Sequence, residues 1–234
     1  GPLRLGPTGS TLAVSGEWRR HLLAQLLLAR LEGAGGRSDL ELVDALYPGR
    51  PEPDARRALK QLVHQVRRKF GQGALVRTAD GYALGDAVRS DAERFMALTE
   101  GASSHGASSH GAPSQRAAAA LALWRGPAFQ DVPAALNSPA LSRLVTRATA
   151  VVAAVVATAP GAAASGADPA GAARLARWLQ ESAPYDWELV ALEVRAHVAA
   201  GDAPAAAAAL AKARERFAEV GTELPLGGVE PRAG

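Results

Sequence analysis

The 234-residue chain contains no cysteine, which excludes a disulfide framework and any thiolate metal site. Aromatics make up only 5% of it, so a core must be filled by Leu, Val and Ala. No unbroken apolar run reaches the ~18 residues of a membrane span; Val151–Val156 comes nearest. The first residues carry no signal-peptide pattern. Catalytic signatures are missing as well. There is no phosphate-binding Gly-x-x-x-x-Gly-Lys-Ser/Thr loop, no Gly-x-Ser-x-Gly elbow, no His-Glu-x-x-His, and no Gly-x-Gly-x-x-Gly after a strand. Acidic residues are dispersed rather than paired for acid–base work. These absences lead us to expect a non-enzyme without cofactor or metal, cytoplasmic, with no membrane partner.

What is present divides the chain in two. Hydrophobic residues reach 48%, enough for a proper core, and the formal charge is +3. Residues 1–90 carry 14 Arg+Lys against 9 Asp+Glu, a net of +5; the remainder carries 12 against 14, a net of −2. Such a distribution says more about partners than the total does. Between the halves lies GASSHGASSHGAPSQ (Gly101–Gln115), a five-residue unit repeated. It has no apolar periodicity and is expected to be a flexible insert. His105 and His110 within it have nothing to orient them as metal ligands.

In the basic half, Leu3–Leu5 and Thr11–Val14 alternate partially and predict two strands of a small sheet. Glu17–Glu32 repeats leucine at helical spacing and is stopped by Gly33. Arg19 and Arg20 at its start are candidate phosphate contacts. Ser38 with Glu41 three residues later is a capping box. It opens a short helix burying Leu42, Val43 and Leu46. Pro53 and Asp54 then start a third helix, which Gly71 stops. Leu59, Leu62, Val63, Val66 and Phe70 fall on one arc about 100° wide, a core-facing stripe. Opposite stand Arg57, Gln61, His64 and Arg68, flanked by Lys60 and Gln65, with Arg56 and Arg67 nearer the boundary. No acid occurs from Ala55 to Gly71. A solvated helix ordinarily interleaves Glu with Lys, because pairs one turn apart stabilise it. Stacked like charges cost stability, and a polyanion converts that cost into affinity. Gln and His reach base edges; Arg grips guanine or phosphate. Leu75–Leu84 follows, two short strands about Asp80-Gly81, a hairpin signal. A sheet, three helices and a hairpin, with the third helix basic, make a winged helix-turn-helix. In that arrangement the third helix enters the major groove and the wing lies on the backbone. Arg77 and Thr78 are the candidate wing contacts.

From Arg116 the pattern is helical and alanine-rich. Ala117–Trp124, a long segment opened by Ser138 or Asn137 and running through Val156, a segment opened by Asp168-Pro169, Tyr185–Ala200 and Ala203–Val220 read as helices. Breaks of a few residues separate the last three, as in antiparallel hairpins. Ala173–Phe217 has the small-residue spacing of tetratricopeptide-type pairs. Trp124, Trp178 and Trp187 are expected in the core, and Glu188 and Glu193 on a solvated face.

Particular stretches carry a family resemblance. HQVRRKFG followed by LVRTADGYALG resembles the recognition helix and wing of response-regulator-type winged helices. GPLRLG, LVDALYPG and SDAERFMAL around them resemble the Streptomyces antibiotic regulatory protein family. ALALWRGPAF and ESAPYDWELVALEVRAHVAAGDAPAAAAAL resemble the bacterial transcriptional activator domain that follows the winged helix there. Together the matches span about residues 2–225. The resemblance implies a mainly α fold with small β-sheets: a winged helix-turn-helix (1–90), then a tetratricopeptide-like α-helical domain (91–225). It implies sequence-specific binding of double-stranded promoter DNA, activation, contact with RNA polymerase, and self-association or tandem binding on repeats. Tyr47 stands where the family usually has Trp, which matters little to packing, and Ala83 where it often has Arg, so one wing phosphate contact does not carry over from the resemblance. The rival reading is a protein-interaction or ligand-sensing module whose winged helix is a docking surface.

Overall fold

Helix α1 (Glu17–Leu31) is apolar on nearly every side, the mark of a helix buried on more than one face. In the computed structural model, which describes residues 4–5, 12–100, 112–130, 132, 138–158 and 167–225, both faces are covered. Leu22, Leu23, Leu26 and Leu27 enter a core shared with α2 (Asp39–Leu46) and α3 (Glu52–Phe70). Ala24 and Leu28, on the other side, pack with Val132 and Ala140. The chain forms two compact units, residues 1–94 with 128–143, and residues 95–127 with 144–234. The first unit thus takes in a segment well beyond the break expected near residue 90.

That segment is fastened by polar contacts too. Ser138 donates to Glu32 at 2.9 Å, and Arg143 donates to the Leu31 carbonyl at 2.9 Å. Val132, 1% exposed, is its deepest apolar residue among those described. Val132→Ala should cost roughly 1–3 kcal/mol of local stability. Amide exchange in α1 would read this as about a tenfold or greater acceleration.

Two small sheets complete the first unit. Strands β1 (Arg4–Leu5) and β2 (Leu12–Ala13) pair antiparallel, as the alternation predicts. The second sheet has the order β3-β5-β4, from β3 (Arg37–Ser38), β4 (Leu75–Arg77) and β5 (Gly81–Leu84). The hairpin is therefore β4-β5, with one strand added that the sequence does not announce. Its turn lies one step earlier than Asp80-Gly81. Gly81 opens β5, and the Thr78 hydroxyl accepts from its amide at 3.0 Å.

The capping box at Ser38 is complete. Glu41 donates its amide to the Ser38 hydroxyl at 3.2 Å, and the Ser38 amide donates to the Glu41 carboxylate at 2.8 Å. The Ser38 amide first, and then the Ser38 hydroxyl, which donates to the same carboxylate at 2.8 Å, hold the Glu41 carboxyl below its ordinary range. A depressed folded-state pKa contributes stability above the unfolded value, and this is lost as pH falls through the folded one. Ser38→Ala should cost about 1 kcal/mol at neutral pH. The difference from the unsubstituted chain should shrink below about pH 4, which acid-dependent denaturation curves would record.

The second unit is helical among the described residues. It takes most of α4 (Asp91–Thr99), α5 (Ala112–Ala122), most of α6 (Pro139–Thr158), α7 (Pro169–Leu179), α8 (Trp187–Ala199) and α9 (Ala203–Glu219). Helix α5 begins inside the stretch expected to be a flexible insert. Pro113 suits its first turn; residues 101–111, with His105 and His110, lie outside the described residues. Helices α7, α8 and α9 pack in sequence, as tetratricopeptide-type hairpins do. Asp168, Asp186 and Asp202 each cap the following helix through a side-chain acceptor. Val190, Val194, Leu210 and Phe217 fill the core between α8 and α9, with Tyr185 edge-on to Phe217.

Several expectations need correction. Trp187, the first residue of α8, is 43% exposed. Trp124 and Trp178 are only half-buried. Glu193 is buried, not solvated. Helix α6 is, by length and composition, apolar enough to cross a membrane, although no unbroken apolar run is that long. Its apolar residues form a seam, with Leu144, Ala148, Val151, Val152 and Val155 buried, while Arg143 is exposed and Arg147 half-buried. This is the pattern of a core helix with a wet face.

Candidate nucleic-acid interface

Helix α3 is set by its apolar stripe. Ala55, Leu59, Leu62, Val63 and Val66 are buried against α1 and α2, and Phe70 half so. That fixes the helix about its axis and turns Arg57, Lys60, Gln61, His64, Gln65 and Arg68 outward, all exposed. Acids stand only in the first turn, Glu52 and Asp54, and Arg67, Arg68 and Lys69 occupy the last turn. Each sign lies at the end where the helix dipole favours it.

The outward face is chemically uncommitted. Lys60, Gln61, His64, Gln65 and Arg68 make no hydrogen bond or ion pair among the described residues. Arg57 has a single loose pair, 3.7 Å to Asp54, and is 75% exposed. Such an exposed pair contributes little and is readily exchanged for another anion. Two amides, one imidazole and two cations therefore stand free on one face of one helix, with Arg57 only loosely paired beside them.

The remaining predicted residues are differently placed. Arg56 donates to Glu52 at 2.7 Å and approaches Asp39 at 3.7 Å. Arg77 donates to both carboxylate oxygens of Asp39, at 2.7 and 3.0 Å. That hydrogen bonding raises the pKa of Arg77 further above its ordinary value. Arg67 donates from Nε to the Leu75 carbonyl at 3.0 Å. The guanidinium groups of Arg77 and Arg67 lie 4.7 and 5.8 Å from the centre of the Tyr82 ring. Thr78 closes the wing turn. Arg56, Arg67 and Arg77 thus join α2, α3 and the wing to one another, and much of their charge is answered within the unit.

Asp39 is the residue that sequence reasoning missed. It lies at the start of α2, one position after the cap, with its side chain 15% exposed, and meets Arg56 and Arg77 together. Its signal, an acid in a first helical turn, does not distinguish it from any dipole-complementing residue. Arg30 was missed as well. It donates to the carbonyls of Leu84, Gly85 and Val88 and lies 3.6 Å from Glu93, fixing the chain as it leaves the wing. Arg19 and Arg20 are half-buried.

Comparison with known proteins adds three observations. Residues 90–225 match the family model of the bacterial transcriptional activator domain. The chain is 37% identical over 86 residues to the regulatory protein AfsR of Streptomyces coelicolor, covering 36% of this chain. It spans only 8% of that much longer protein. A solved structure of Mycobacterium tuberculosis EmbR in complex with a low-affinity phosphopeptide superposes with a TM-score of 0.54 at 20% identity, over 97% of this chain and 60% of that one. At that identity the likeness concerns the fold.

Proposed function

We propose, from the premise that this chain belongs to the bacterial transcriptional activator domain family, that it is a promoter-binding transcriptional regulator of the Streptomyces antibiotic regulatory protein type. In this reading α3 lies in the major groove and the β4-β5 wing beside it on the backbone. The helical unit serves activation, through self-association or contact with RNA polymerase.

The observation that carries the reading is the free face of α3. Among the described residues, Lys60, Gln61, His64, Gln65 and Arg68 have no internal partner, and Arg57 nearly none. Cations among amides suit a duplex, where phosphate contacts position the protein and base contacts specify the site. The imidazole and amides of His64, Gln61 and Gln65 suit base edges, with Gln bidentate on adenine the best-matched pair. Arg57, Lys60 and Arg68 suit phosphate or guanine. Arg56, Arg67, Arg77 and Thr78 hold the reading head in shape, and Arg77, 47% exposed, keeps an edge for the backbone.

Fluorescence anisotropy of the intact chain on duplexes selected from random DNA tests the reading. Affinity should fall linearly on a log–log plot against salt, with a slope near −0.9 for each phosphate neutralised. Arg68→Ala should weaken binding by roughly 1–3 kcal/mol. A near-flat salt response would favour the rival, in which the winged helix is a protein-docking surface.

A further inference from the structure

The second unit holds a cavity that DNA recognition does not use. It lies among α7, α8 and α9, with a volume of about 510 Å³, within the range of small-ligand sites. Its walls are Pro184, Ala205, Ala208 and Ala209, and short side chains leave it open. Its floor is polar. Gln180, 6% exposed, donates to Glu193 Oε2 at 2.6 Å and accepts from Arg216 at 3.0 Å. Glu193, 8% exposed, lies 3.9 Å from His197. Gln180 and Glu193 satisfy one another and Arg216, so the cavity is floored by a hydrogen-bonded polar network rather than by apolar packing.

The charge of the cavity selects the ligand. Arg177, Lys212 and Arg216 line it, against Glu181 and Glu193. Leaving aside His197, which also lines the cavity beside Glu193, three fixed cations less two carboxylates leave one unmatched positive charge. Arg177 and Lys212 are exposed and have no ion-pair partner among the described residues. Lys212 and Arg216 stand one turn apart on α9, and although Glu215 lies between them in sequence, neither makes an ion pair among the described residues, so the two like charges are left adjacent. The Nε of Arg216 is buried and has no hydrogen-bond partner among the described residues. A dianion would meet the Glu193 carboxylate in the floor, whereas a single negative charge balances the cavity.

We propose that this cavity binds a monoanionic carboxylate, with Lys212 and Arg216 gripping the carboxylate and the alanine wall accepting the adjoining apolar part. A peptide C-terminus and a free small carboxylic acid share that chemistry. The site is independent of the α3 face, so its failure would leave the DNA reading untouched.

The test is amide chemical-shift titration of the isotopically labelled full chain with three probes. These are a short Ala/Leu peptide with a free C-terminus, the same peptide as its C-terminal amide, and monomethyl succinate. The free-carboxylate peptide, the succinate ester or both should shift amides of α8 and α9, with half-saturation at least about tenfold below that of the amide. Saturation by the peptide alone assigns a protein C-terminus; saturation by the ester alone assigns a small acid. Lys212→Gln, on an exposed position, should abolish the shifts while leaving the melting temperature and DNA affinity unchanged. Arg216→Gln should abolish them too, at some loss of stability through Gln180. Equal response to the amide, no response to any probe, or an undiminished response in Lys212→Gln would overturn the proposal.

Discussion

Gly81→Ala is expected to unfold the wing. A methyl group at position 81 would stand 1.8 Å from the Arg37 carbonyl oxygen and 2.6 Å from the Ser38 Cα. These are backbone atoms of the neighbouring strand, so no rotamer change relieves the clash. Either β3 separates from β5 or the β4-β5 hairpin shifts, and the Arg37↔Tyr82 and Ser38↔Gly81 pairs are lost. With them goes the bond from the Asp39 amide to the Asp80 carbonyl, 2.9 Å. Asp39 then no longer presents its carboxylate squarely to Arg77 and Arg56. The expected cost is about 3 kcal/mol or more, at the upper end for a single substitution. Gly73→Ala is the control. Its added methyl meets nothing within 4 Å, and its effect should stay within about 0.5 kcal/mol. Urea denaturation of both variants, followed by exchange of the wing amides, would give the comparison. Equal stabilities would mean that β3 does not lie against Gly81.

The second large effect concerns the α3 face. Replacing Lys60, Gln61, His64 and Arg68 together by alanine removes no internal hydrogen bond or ion pair among the described residues. Stability should therefore change little, and alanine's helix propensity should offset part of any loss. DNA affinity should fall at least about a hundredfold, since each lost contact is worth roughly 1–3 kcal/mol. The salt slope should flatten as well, by about 0.9 for each phosphate contact removed. Asp39→Ala would act in the opposite way. It frees Arg56 and Arg77 but loosens the wing, so its effect should appear in stability as well as binding. The contrast separates residues that meet DNA from residues that shape the surface meeting it.

Much of this organisation was legible in the sequence for a physical reason. Helical periodicity is local, so the stripe from Leu59 to Phe70 and its opposite face could be read from spacing alone. The capping box at Ser38 is likewise a four-residue pattern. What could not be read was non-local. Strand β3 is two residues long and exists because Gly81 lets it approach. Arg77 and Arg56 meet Asp39 across 38 and 17 positions of chain, and no spacing rule links them. The return of residues 128–143 to α1 is invisible for the same reason. The surplus apolarity of α1, with Ala24 and Leu28 off the main stripe, was its only trace. Glu193 was read as solvated because an isolated acid in a helix usually is; its burial depends on Gln180 from the preceding helix.

Whether the free side chains on α3 select a DNA sequence is tested by selection from random duplexes. The intact chain and a Gln61→Ala/His64→Ala variant would each be carried through the same rounds at fixed salt. A defined consensus is expected for the unsubstituted chain. The variant should still bind, through Arg57, Lys60 and Arg68, but lose preference at particular base positions of that consensus. An identical consensus from both proteins, or no enrichment by the unsubstituted chain, would mean that these side chains do not read the bases.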